Sequence, residues 1–171
     1  MLKKYAIGLI SVLILIIIIS GCSPVNENTS PGNFKGFLPD GYLDISTNVI
    51  ADGSYNNYLL PDTVMLEKRL SKGQNNVTIV VIKFNDLTEA NSFWYSIMDD
   101  YFSTIRVFFS TIPFLYGSIN EEIGGSYLSA QLMQKWFFLF TGPEENVKEI
   151  KDAFYEYVET ETKKINEEAL Q

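Results

Sequence analysis

The chain has 171 residues, 46% hydrophobic and 20% charged, with 13 basic against 21 acidic side chains and a formal net charge of −8. That size suits one folded domain with one core, and a charge of this sign weighs against a nucleic-acid partner, because phosphate backbones repel it. One cysteine and no histidine rule out an intramolecular disulfide, a cysteine–histidine metal centre and any triad built on imidazole, so no metal and no other cofactor is expected.

Lys3 and Lys4 precede an apolar run from Tyr5 to Ile19, which closes on Ser20, Gly21 and Cys22. Roughly 17 residues at about 1.5 Å each make ~25 Å of helix, marginal for a full bilayer span. Small residues at Ser20 and Gly21 suit a cleavage site. The stretch Ile19-Ser20-Gly21-Cys22 resembles the lipobox of prokaryotic lipoprotein precursors. That resemblance, confined to the leader, implies a diacylglyceryl group on the Cys22 thiol and cleavage between Gly21 and Cys22. Two acyl chains hold a protein stably at a bilayer where one holds it only marginally. All 21 acids follow Cys22 while Lys3 and Lys4 precede it, which leaves the mature part at −10. The resemblance therefore implies a signal helix over 1–21 and an extracytoplasmic protein held at the cell membrane by lipid on Cys22.

Residues 22–36 are rich in proline, glycine and asparagine and read as a flexible tether; 37–171 reads as a single domain. Asn28-Thr29-Ser30 and Asn76-Val77-Thr78 match the N-glycosylation pattern. Turn signals at Pro39-Asp40-Gly41, Asp52-Gly53-Ser54 and Asn56-Asn57 leave short strands near Tyr42 and Tyr58. The acidic run from Asp52 to Asn57 lacks the ligand spacing of a calcium loop. Val64 to Leu70 and the β-branched run Val77 to Phe84 read as a hairpin joined by a turn over 71–76, its second strand buried on both faces.

Apolar residues at Leu87, Ala90, Phe93, Trp94, Ile97, Met98, Tyr101 and Phe102 keep helical spacing. Thr88 or Asp86 caps the start, and Pro113 ends whatever helix continues past Phe102. A short strand from Leu115 to Ile119, then strands over 126–133 and 135–141, follow with Gln134 between the last two. Trp136 to Phe140 is the most apolar run of the domain and reads as a central strand. Thr141-Gly142-Pro143 opens a helix with Val147, Ile150, Phe154, Tyr157, Val158 and Ile165 on its apolar face. Its polar last turns, 159–171, read as frayed.

The order of elements predicts an α+β fold, an antiparallel sheet with two main helices packed on one face, a ferredoxin-like variant included. No nucleophile motif, phosphate loop or base pattern is present. Acid pairs such as Asp99-Asp100 and Glu121-Glu122 read as solvated surface. The aromatic group Phe108, Phe109, Phe114 and Tyr116 is a candidate docking patch, since loops beside helix ends often carry binding surfaces. The reading is a non-enzymatic, lipid-anchored binding or interaction module with an envelope protein as partner. The alternative is an envelope hydrolase working through two carboxylates 5 to 10 Å apart, on the order expected for glycosidase pairs.

Overall fold

The computed structural model describes residues 25, 27–55, 58–101, 111–112 and 116–169. A 3-10 turn (Pro31–Gly36) leads into β1 (Leu43–Ala51) and a small hairpin of β2 (Ser54–Tyr55) and β3 (Tyr58–Leu59). Then come β4 (Val64–Lys72), β5 (Asn75–Lys83), helix α1 (Leu87–Tyr101), β6 (Thr111–Ile112) and β7 (Tyr116–Ile123). The chain continues through β8 (Ser126–Met133) and β9 (Trp136–Gly142) into helix α2 (Glu144–Ala169). Seven strands form one sheet in the order β1-β4-β5-β9-β8-β7-β6, every pair antiparallel.

The centre of that sheet explains the layers. β5 lies beside β9 with Ile79 opposite Phe140 and Val81 opposite Phe138, while Val80 faces Leu139 and Ile82 faces Phe137. Because strand side chains alternate, these pairs belong to two faces, and both faces are apolar. Val80, Ile82, Phe137 and Leu139 join a core with Phe93, Trp94 and Ile97 of α1. Ile79, Val81, Phe138 and Phe140 join another with Val147, Ile150, Phe154 and Val158 of α2. The fold is therefore α+β, an antiparallel sheet with helices, but the helices lie on opposite faces and not together on one. A central strand pair that is apolar on both sides needs two covers. The ferredoxin-like order β-α-β-β-α-β is also not the one found; each helix here follows a three-stranded meander.

Local chemistry sets the boundaries. Asp86 is the cap of α1: its Oδ1 accepts from the backbone N–H groups of Thr88 and Glu89 at 2.7 and 2.9 Å. Pro143 and the acids Glu144 and Glu145 open α2, where a negative charge suits the positive helix end. β4 and β5 extend beyond the expected hairpin, leaving only residues 73–74 as the turn, and β7 runs on through Glu121 and Glu122 to Ile123. α2 stays helical through Ala169, past the turns expected to fray, with Thr162 buried one turn beyond Val158. Gly117 lets α1 sit close on the sheet: a Cβ there would stand 2.5 Å from the Trp94 indole.

The amino-terminal side corrects the expected tether. Val25, Thr29 and Phe34 are buried, and the Phe34 ring contacts Trp136 and Phe154 at centroid distances of 6.0 and 5.8 Å. Folded structure thus begins by Val25, not at Phe37. Phe34 supplies the reason: an aromatic ring amid polar residues closes the core over α2. Lys68 fastens the same region. Its ammonium, buried in β4, donates to the Lys35 carbonyl at 3.0 Å, to Asp44 and to Thr47 Oγ1 at 2.7 Å.

Candidate functional site

Of the residues singled out from the sequence, Gly21, Cys22, Phe108, Phe109 and Phe114 lie outside the described residues. Tyr116 is the first residue of β7 and is 38% exposed. Glu121 and Glu122 occupy consecutive strand positions, which point to opposite faces, so they form no facing pair. Among the described residues no three His, Cys, Asp or Glu side chains converge as metal ligands, and no helix is long and apolar enough to cross a membrane.

A cavity of about 230 Å³ lies between the small hairpin and α1. Helical spacing builds one wall: Glu89, Ser92, Phe93 and Ser96 stand at i, i+3, i+4 and i+7, a single stripe along α1. The opposite wall is Tyr58 and the turn after it, held against the body by two backbone bonds, Leu60 N–H to the Gly53 carbonyl at 2.9 Å and Asp52 N–H to the Thr63 carbonyl at 3.1 Å. Tyr58 also ties the walls together, its hydroxyl donating to the Ser96 carbonyl at 2.9 Å. Phe84 and Tyr58 pack against Phe93 at 5.1 and 5.9 Å, so three rings share the lining with aliphatic and small polar side chains. Leu59, 83% exposed, stands at the rim. Glu89, half-buried, lines the cavity, while its Oε2 is turned into the protein, closed to solvent and without a hydrogen-bond partner among the described residues.

A second concavity, about 440 Å³, opens at the end of the sheet beside Val25 and is more polar. Lys83 crosses it, donating to the Glu27 and Thr29 carbonyls at 2.5 and 2.8 Å with its ammonium 5.4 Å from the Trp136 ring. Burial, and then the neighbouring Lys135 charge, push the Lys83 ammonium below its ordinary pKa despite the opposing pull of Glu27. Those bonds make Lys83 a clamp on the incoming chain.

At the opposite end, Glu149 accepts from Lys72 at 2.8 Å and from the Tyr42 hydroxyl at 3.0 Å, and Asn146 bonds both Tyr42 and Asn75. The Lys72 bond holds the Glu149 carboxyl below its usual range, with burial opposing and the Tyr42 bond assisting. Each of these five side chains has at least one partner in the cluster. It joins α2 to the β4–β5 turn and reads as structure.

Glu89 was visible in the sequence only as an acid in the first turn of a helix. The cavity needs residues 58 to 63 and Phe84 beside it, and no periodicity relates those positions. No protein-family model matches the chain, and no curated protein matches it significantly.

Proposed function

We propose that the chain is a lipid-anchored extracytoplasmic binding protein of the cell membrane, non-enzymatic, with the hairpin–α1 cavity as its ligand site and an envelope protein as a further partner. The observation that carries the anchor is a basic, apolar leader closing on Cys22, the chain's sole cysteine, three positions before the buried Val25. Three residues span at most ~11 Å. A lipid on Cys22 thus holds the end of the sheet that carries Val25, Lys83 and Trp136 close against the headgroups, without an intervening stalk.

Metabolic labelling with a fatty acid tests the anchor. Label enters the wild-type chain, and Cys22→Ser abolishes it and releases the protein from the membrane fraction. Equal labelling of the two chains overturns the proposal.

A further inference from the structure

We propose that the turn carrying Leu59 and Pro61 is a second membrane contact, these two side chains entering the headgroup–acyl boundary of the bilayer that holds the chain. The inference deepens the membrane role proposed above and rests on one part of it, that the amino-terminal end is held at a bilayer. Lipid on Cys22 or the apolar run 5–19 serves equally for that.

Leu59 is 83% exposed, more than any other large hydrophobic side chain among the described residues. The local frame holds it out. In β3 Tyr58 packs onto Phe93 at 5.9 Å, and the next residue of a strand points to the other side. Leu60 is buried, Thr63 Oγ1 donates to its carbonyl at 2.8 Å, and its N–H bonds the Gly53 carbonyl at 2.9 Å. Leu59 can reach the core only by breaking that frame. Pro61, two positions on, is exposed as well.

A lone exposed leucine is ordinary on a protein surface; the place of this one sets it apart. Val64, Lys83, Trp136, Met133 and Tyr116 pair in one row across the sheet and mark one end of it. The small hairpin enters β4 at that end. Val25 lies there too, since Phe84 lines both the concavity shared by Val25 and Asp62 and the cavity beside Leu59. Cys22 is three positions before Val25, at most ~11 Å of chain, so holding the amino-terminal end brings this turn to the headgroups. Leu43, 68% exposed, pairs with Ser71 at the far end of β4, roughly 24 Å along the strand from Val64.

Area and charge favour a bilayer over a protein as the cover. Leu59 and Pro61 are two residues, whereas a stable protein interface takes about 20–30 a side. A bilayer asks for no matching surface, only apolar area to bury. The mature part carries −10, so anionic headgroups repel it as a whole. In the concavity beside the turn, however, Lys83 and Lys135 balance Glu27 and Asp62, and an apolar contact there meets little opposition.

The test places a dye at the turn. The full chain with Cys22→Ser has no other thiol; Leu59→Cys is added, labelled with a nitrobenzoxadiazole dye and reconstituted into phosphatidylcholine vesicles, with Leu43→Cys as the reference. At 59 the emission shifts to the blue and is quenched by lipids spin-labelled near the top of their acyl chains, while at 43 it stays aqueous and unquenched. Quenching at 59 persists at about 1 M salt, where the screening length is ~3 Å, as an apolar contact requires. With the dye moved to Pro61→Cys, Leu59→Asp abolishes the quenching, so the leucine and not the dye makes the contact. A dye at 59 as wet as at 43, a blue shift that the spin-labelled lipid leaves unquenched (a protein cover), quenching lost in salt, or quenching unaltered by Leu59→Asp each overturns the proposal. Fatty-acid labelling of the wild-type chain reads the anchor by itself, so failure of lipidation and failure of docking are separate results.

Discussion

Lys68 is buried to 1% relative exposure, yet its ammonium meets three acceptors, and Thr47 in turn donates to Asp44 at 2.7 Å. The two ends of the ion pair are not equivalent, because the Asp44 side chain remains 36% exposed. Removing Asp44 strands a buried cation, whereas removing Lys68 leaves a carboxylate that water can reach. Asp44→Ala therefore destabilises more than Lys68→Met, by about 1 to 3 kcal/mol against about 1 or less after allowing for solvent at Asp44; urea unfolding of the two variants measures the order. The pair also makes stability pH-dependent. Burial pulls the Asp44 carboxyl upward, but the bonds from Lys68 and Thr47 and the Lys68 charge outweigh it, leaving the pKa below its ordinary value. A depressed carboxylate contributes stability that is full above the unfolded pKa of about 3.9 and is lost as pH falls through the folded value. Asp44→Asn accordingly flattens the acid limb of the stability curve. None of this was legible in Val64 to Leu70, where alternation sets Lys68 on the face of Leu66 and Leu70 but names no partner for its charge. Its partners lie 21, 24 and 33 residues away, beyond any local pattern.

Helix α2 shows what local pattern does carry. Its apolar face was readable as Val147, Ile150, Phe154, Tyr157, Val158 and Ile165; Val147, Ile150, Phe154 and Val158 are buried, while Tyr157 and Ile165 are half-buried at its margin. Phe154 is the centre of an aromatic group, with ring contacts to Phe37 at 4.9 Å, Phe140 at 5.7 Å, Phe34 at 5.8 Å and Phe138 at 6.4 Å. Truncation to alanine leaves a cavity bounded by the sheet, the helix and the 3-10 turn at once, and costs about 3 to 5 kcal/mol, measured as a fall in the midpoint of thermal unfolding. The face on which α2 lies was less plain, although the cue was there. An unbroken run such as Trp136 to Phe140 supplies apolar groups to both sides of a sheet, and only one helix can cover each. The amino-terminal 3-10 turn was missed for the opposite reason, since Phe34 is a lone ring in a polar stretch and its burial depends on Trp136 and Phe154, over a hundred residues later. The cavity beside α1 was hidden in the same way. Of its helical wall only Phe93 stood out in the spacing, and its other wall comes from a two-residue strand and the turn after it.

The main sheet of the described residues is built on two meanders, β1-β4-β5 and β7-β8-β9, each followed by a helix and joined back to back through β5 and β9, with the short β6 added outside β7. A half-turn about the sheet normal exchanges the two meanders in strand order and direction but carries α1 onto its own face, while α2 occupies the other. The halves are thus alike in order and unlike in cover, which fits the lack of any repeat in the sequence. Joined this way, the sheet ends at β1, a nine-residue edge with Leu43, Ile45 and Val49 exposed. Such an edge is a template for strand addition by a second chain. β1 carries a bulge at Ile45, between the pairs Asp44–Leu70 and Ser46–Arg69, and a bulge bends the strand away from flat pairing. Deleting Ile45 leaves every other pairing in place and straightens the edge, so the variant self-associates where the wild type does not; light scattering after size-exclusion chromatography reads the change. The consequence is largest on the proposed anchor. Molecules confined to a bilayer lose a dimension of escape and share one orientation, so their edges meet side by side far more often than in free solution. One unpaired residue in β1 then acts as a spacer that keeps a dense monolayer of this protein from zipping into sheets.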